Sequence, residues 1–176
     1  MSLSRDERAI INEMALKIRE LYNIDGAITD IDSIVQTMNG EIIEDSSKSS
    51  FSDGRIKKNN EDSFIIEVPS NQSTERRNFT IAHELGHLFL HMGFKTNTDL
   101  WNSQNYITYY RNGQSHQEYQ ANEFAAAFLM PKSIYRTIVQ KNISGGSVNI
   151  AEVASYFHVS IDAAANRGKW LGYLEW

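Results

Sequence analysis

Phe79-Thr80-Ile81-Ala82-His83-Glu84-Leu85-Gly86-His87-Leu88-Phe89-Leu90-His91 is the stretch on which the reading of this chain turns. If residues 74–91 form one helix, steps of about 100° per residue put Thr80, His83, Glu84, His87 and His91 on one narrow strip. From Phe79 onward the remaining circumference is apolar. A helix that is apolar nearly all round is buried, and polar groups on a buried helix must be satisfied internally. A lone histidine on such a face reads as an ordinary core residue bonded to its neighbours. Two imidazoles one turn apart with a carboxylate between them are better served by a metal ion.

The spacing is that of the H-E-x-x-H motif, in which both histidines hold zinc and the glutamate is a general base. A catalytic zinc takes a third protein ligand and leaves a fourth position for water. His91 is the nearest candidate, but at about 1.5 Å of rise per residue it stands roughly 12 Å along the axis from His83. With Zn–N bonds of about 2 Å, the two cannot share one ion, so the third ligand is expected from another element. The segment from Ser115 to Pro131 supplies one. Its apolar residues at 121, 124, 125, 128 and 129 have the spacing of a core-facing helix. Glu118 extends that stripe toward the N-terminus, whereas Glu123 points the other way. Ser115 and Glu118 also satisfy the S-x-x-E capping-box pattern, which is the competing reading of Glu118. Asn122 shares the Glu118 side and is placed to orient a ligand by hydrogen bonding.

Taken together, Phe79-Thr80-Ile81-Ala82-His83-Glu84-Leu85-Gly86-His87, then His91, then Glu118-Tyr119-Gln120-Ala121-Asn122-Glu123-Phe124-Ala125-Ala126 and Leu129-Met130-Pro131, resemble the ImmA/IrrE family of zinc metallopeptidases. The match is tight over residues 76–131 and loose elsewhere. The resemblance implies a zincin-like fold, His83, His87 and Glu118 as zinc ligands, and Glu84 as the catalytic acid and base. It also implies a bacterial, phage or mobile-element setting, in which members often cleave a helix-turn-helix repressor. Longer members that add a sensor domain after the peptidase are not matched.

Length and composition agree with these expectations. The 176 residues suit one domain with a real core. We expect a metallopeptidase core over 1–131 and a helical C-terminal lobe over 132–176 packed on it. No apolar run is long enough to span a bilayer, and Ser4-Arg5-Asp6-Glu7-Arg8 is not an export leader, so a soluble, cytoplasmic protein is expected. With no cysteine, a zinc site must be built from histidine and carboxylate, a shell that also accepts manganese or iron. A formal charge of −5 argues against direct nucleic-acid binding.

Along the chain, Ser4 and Glu7 form a capping box for a first helix bearing Ile10, Ile11, Met14, Ile18, Leu21 and Tyr22 at helical spacing. Asp30 caps a short second helix that runs to Met38 and ends at Asn39-Gly40. Residues 41–45, 51–57 and 63–68 read as strands of a small antiparallel sheet, giving an α+β fold. An exposed strand edge there would bind an extended peptide by backbone pairing. Residues 92–114 lack clean periodicity and read as a lid or binding segment. There Tyr109, Tyr110 or Arg111 would either steady an oxyanion or, with Trp101 and Tyr106, pack over the core. His116 and His158 read as surface or packing residues, and Arg76 and Arg77 as solvated groups within reach of a carboxylate.

After Pro131, helices are expected at 132–141, 150–157 and 161–174, with Gly145-Gly146 in a loop and Ser160 as an N-cap. The rhythm of 151–160 suggests a helix-turn-helix. Over 149–176, however, Arg167 and Lys169 meet Glu152, Asp162 and Glu175, the wrong balance for phosphate contacts. The lobe therefore reads as a packing or partner-recognition element.

The sequence thus predicts a zinc endopeptidase whose partner is a protein substrate such as a transcriptional repressor or antitoxin. The alternative is a non-cleaving zinc module that sequesters such a protein, which an intact Glu84 argues against.

Overall fold

The computed structural model describes residues 3–46, 53–104, 108–110 as backbone, and 116–175. Helix α1 (Arg5–Leu21) opens on the expected capping box: the Ser4 hydroxyl accepts from the Glu7 backbone N–H, and the Ser4 N–H donates to the Glu7 carboxylate. Asp30 caps α2 (Ile31–Thr37) in the same manner, and the chain leaves it through Asn39 at positive φ. Helix α3 (Thr74–Leu90) starts at the N-cap Ser73 and ends with His91 as its C-cap, one residue short of the predicted end.

The sheet differs from the antiparallel one expected. Strands β1 (Gly40–Asp45), β2 (Arg55–Lys58), β3 (Phe64–Pro69) and β4 (Thr108–Tyr110) lie in the order β1-β3-β2-β4. β1 runs parallel to β3, whereas β2 is antiparallel to both β3 and β4. The reason lies in β3, whose Phe64, Ile66, Glu67 and Val68 are all buried, so that it needs a neighbour on each side. β1 alternates between exposed and half-buried residues and is suited to an edge. The 92–114 segment is also more regular than expected, for α4 (Thr98–Ser103) and the edge strand β4 both fall inside it. Trp101 is core rather than lid: it is buried, and its indole N–H donates to the Glu61 carbonyl.

Helix α5 (His116–Leu129) packs along α3 in the most extensive helix pairing among the described residues. Gly86 makes this possible. A Cβ there would stand 3.0 Å from Ala121 Cα and 3.1 Å from its carbonyl oxygen, so the two backbones meet almost directly.

After Pro131 come α6 (Lys132–Lys141), a two-residue hairpin of β5 (Ile143–Ser144) and β6 (Ser147–Val148), then α7 (Ile150–Phe157) and α8 (Ile161–Trp170). The hairpin occupies the predicted Gly145-Gly146 loop, both glycines having positive φ. Ser160 caps α8 as expected. Tyr135 fixes these helices to one another by stacking on Phe157 and donating to the Ala164 carbonyl at 2.6 Å. Buried Arg167 ties α8 to the rest by donating to the Met130 carbonyl, to Glu123 and to Asn12. Among the described residues, no helix is long and apolar enough to cross a membrane.

Gly86→Val is expected to lower stability by about 1–3 kcal/mol, because the added atoms must push α5 from α3. Helix propensity alone would move stability the other way, so the sign of the shift in denaturant midpoint checks the close approach.

Candidate metal centre

Three of the predicted residues converge. His83 and His87 lie one turn apart on α3, and Glu118 reaches them from the first turn of α5. Their donor atoms all fall within 4.8 Å of one another. The Nε2 atoms of His83 and His87 are 3.0 Å apart; the Glu118 carboxylate lies 3.2 Å from the first and 3.3 Å from the second. All three side chains are buried, His83 wholly so. Ser115, the capping partner that competed for Glu118, lies outside the described residues.

The groups behind the histidines fix which nitrogens face inward. Asn122 Oδ1 is 3.0 Å from His83 Nδ1 and can only accept, so His83 carries its proton on Nδ1 and turns a bare Nε2 toward Glu118. The same logic runs through two residues behind His87. His91 Nε2 is 2.9 Å from Gln120 Oε1, and His91 Nδ1 is 2.9 Å from His87 Nδ1. Burial pushes the His91 imidazole down to about 4, leaving it neutral near neutral pH with one proton to place. That proton goes to Gln120, so His91 Nδ1 accepts from the His87 Nδ1–H. His87 Nε2 is thereby bare as well.

With both Nε2 atoms bare, neither imidazole has a proton to give the Glu118 carboxylate 3.2 and 3.3 Å away. Three acceptors therefore point at one place. Two imidazole nitrogens and a carboxylate oxygen are the donor set of a divalent transition-metal site, and these residues fit such an ion.

Glu84, one residue after His83, is fully buried beside the site. Its Oε1 lies 2.9 Å from where a Cβ on Gly54 would stand, and Thr80 Cγ2 lies 2.6 Å from that point. Gly54 thus lets the backbone entering β2 press against the Glu84 carboxylate. A glycine inside a predicted strand is the sequence signal of such a close backbone approach. Gln120 carried no signal, since it stands on nearly the opposite side of α5 from Glu118.

The remaining candidates lie elsewhere. His116 is exposed and pairs with Glu7 at 2.6 Å, and His158 is the C-cap of α7 at positive φ. Arg76 pairs with Asp53, while Arg77 makes a two-pronged pair with Asp32 and reaches Glu44. Tyr106 and Arg111 lie outside the described residues, and of Tyr109 and Tyr110 only the backbone in β4 is described.

A family model described as the IrrE N-terminal-like domain, of the M78 peptidases, matches residues 41–169. This chain belongs to that family. No curated protein matches it. The solved structure of a Mycobacterium tuberculosis transcriptional regulator is similar in fold, with a TM-score of 0.59 at 16% identity. The likeness covers 92% of this chain and 46% of that one, so the chain spans under half the length of that structure.

The His87–His91–Gln120 chain makes a testable distinction. His91→Gln keeps an acceptor toward His87 and a donor toward Gln120, and it is expected to keep metal affinity near wild type. His91→Leu keeps neither and is expected to weaken the metal about 10–100-fold, as read by competition against a chromophoric chelator.

Proposed function

We propose that this chain is a zinc-dependent endopeptidase of zincin-like architecture that cleaves a specific regulatory protein, such as a helix-turn-helix repressor or an antitoxin. One observation carries the reading: bare imidazole nitrogens of His83 and His87 and the Glu118 carboxylate converge on one buried point, with Glu84 beside them on the same helix. Membership of a peptidase family supports it. The regulatory setting draws support from the likeness in fold to the mycobacterial transcriptional regulator.

In this reading His83, His87 and Glu118 hold the zinc. When bound, zinc supplies Lewis acidity toward the scissile carbonyl and toward the attacking water. Glu84 takes a proton from that water as its oxygen bonds to the carbonyl carbon. It then delivers the proton to the amide nitrogen as the C–N bond breaks, so one carboxylate serves as base and then acid. Asn122 and His91 keep the two imidazoles in the tautomer that leaves Nε2 free for the metal. Substrate would lie as an extended segment along the sheet edge at β4. Tyr110 of that strand pairs with Arg55, next to the Gly54 that touches Glu84, so backbone pairing there brings a peptide toward the base.

Glu84→Gln is expected to retain zinc and to lose cleavage by about 10²–10⁴-fold. Immobilised wild-type and variant proteins exposed to a host lysate provide the assay, with retained and released material identified by mass spectrometry. A partner held whole by the variant and released as fragments by the wild type is the expected result. A partner held whole by both would replace the peptidase reading with that of a sequestering module, and equal cleavage by both would remove Glu84 from the chemistry.

A further inference from the structure

A cleft of about 890 Å³ opens between α1, the first turns of α3, α5 and α8. It lies beyond the metal centre on the Nδ1 side of His83, because exposed Asn122, which holds that nitrogen, also lines the cleft. Phe79, Val159, Ile161, Ala163 and Trp170 provide apolar wall. Ile161 and Trp170 are about half exposed, at 52% and 50%, which places large apolar surface in a concavity of a size suited to a small ligand.

The floor is charged, and its charges do not balance. Glu123 accepts from Arg8 on one oxygen and from Arg167 and Asn12 on the other, so one carboxylate faces two guanidinium ions. Arg167 is fully engaged, with its remaining groups on the Met130 carbonyl and the Asn12 side chain. Arg8 is the one in excess. Its guanidinium carbon lies over Trp170, 3.7 Å from the ring centroid, and its Nε–H is shut off from solvent with no acceptor among the described residues. Other charges near the mouth do not cancel it directly: Arg76 is paired with Asp53, and Glu75 is exposed to water that screens it. On a chain of net charge −5, this is a floor on which a half-buried guanidinium shares its one carboxylate with a second, fully buried one.

We propose that the cleft is a binding site for an apolar monocarboxylate, whose body lies on Trp170, Ile161, Val159 and Phe79 and whose carboxylate pairs with Arg8. With Nη1 on Glu123 and Nε shut off from solvent, the Arg8 guanidinium keeps Nη2 to donate a charge-assisted hydrogen bond to a carboxylate, and a cation is excluded by the same charge. Free organic acids and the free carboxyl terminus of a peptide share this chemistry. The proposal does not depend on the peptidase reading, since it concerns binding alone.

The test is calorimetric titration of the intact protein with octanoate and with N-acetylphenylalanine, each against its neutral amide. At least one acid is expected to bind saturably at one site, with its amide weaker by about tenfold or more, the effect of losing a charge-assisted hydrogen bond. Arg8→Gln is expected to erase the acid–amide difference. Ala163→Trp, which fills the cleft and leaves the partners of Glu123 in place, is expected to abolish binding; thermal unfolding by circular dichroism verifies that each variant is folded. Should Arg8→Gln fail to fold, the acid–amide comparison and Ala163→Trp decide. Binding of octanoate alone assigns a free organic acid, and binding of N-acetylphenylalanine alone assigns a peptide terminus. No saturable binding of either acid, equal binding of acid and amide, or binding unchanged by Ala163→Trp would overturn the proposal.

Discussion

The structure depends on a close contact between two helices at a glycine. Because Gly86 carries no side chain, α5 comes down onto α3 at Ala121, and the Glu118 carboxylate arrives within 3.3 Å of both inward-facing imidazole nitrogens. Burying three acceptors together in apolar surroundings is costly unless a cation shares their lone pairs. The helix pairing and the chemistry of the site are therefore one feature, and the apolar faces of α3 and α5 supply the burial that holds it.

Two buried carboxylates on α5 show how their surroundings divide the labour of one helix. Glu118 and Glu123 are five residues apart, about 140° around the helix. Glu118 meets imidazoles whose protons have been drawn to the outside by Asn122 and by the His91–Gln120 pair, so it has become part of a metal-ready cluster. Glu123 meets Arg8, Arg167 and Asn12 and becomes the tie that joins α1, α5 and α8. One carboxylate belongs to a buried group that could hold a metal ion, whereas the other is over-supplied with cations. That surplus gives the neighbouring cleft its positive floor.

The sheet contributes by where it places one residue. Strand β3 must be central because both of its faces are buried, which forces β2 to its far side and carries the chain past Glu84 at Gly54. The edge strand β4 is registered on β2 by Tyr110 opposite Arg55, at the same end. Strand order, more than any loop, brings backbone hydrogen-bonding groups near the acid.

Local signals were enough for α1–α3 and α5–α8 and for the meeting of His83, His87 and Glu118, whereas α4 formed in a stretch without clean periodicity. Caps at Ser4, Asp30 and Ser160 were legible because a capping bond spans three residues of chain, and the shared facing of His83, His87 and Glu118 was legible because helical periodicity sorts side chains by face. What the sequence could not decide were matters of pairing between distant segments. The parallel match of β1 with β3, the close packing beneath Gly86, the contact of Gly54 with Glu84, and the route from His87 through His91 to Gln120 each join residues that no periodic rule relates. Such contacts follow from which surfaces must be buried together, and only the folded chain as a whole makes that choice.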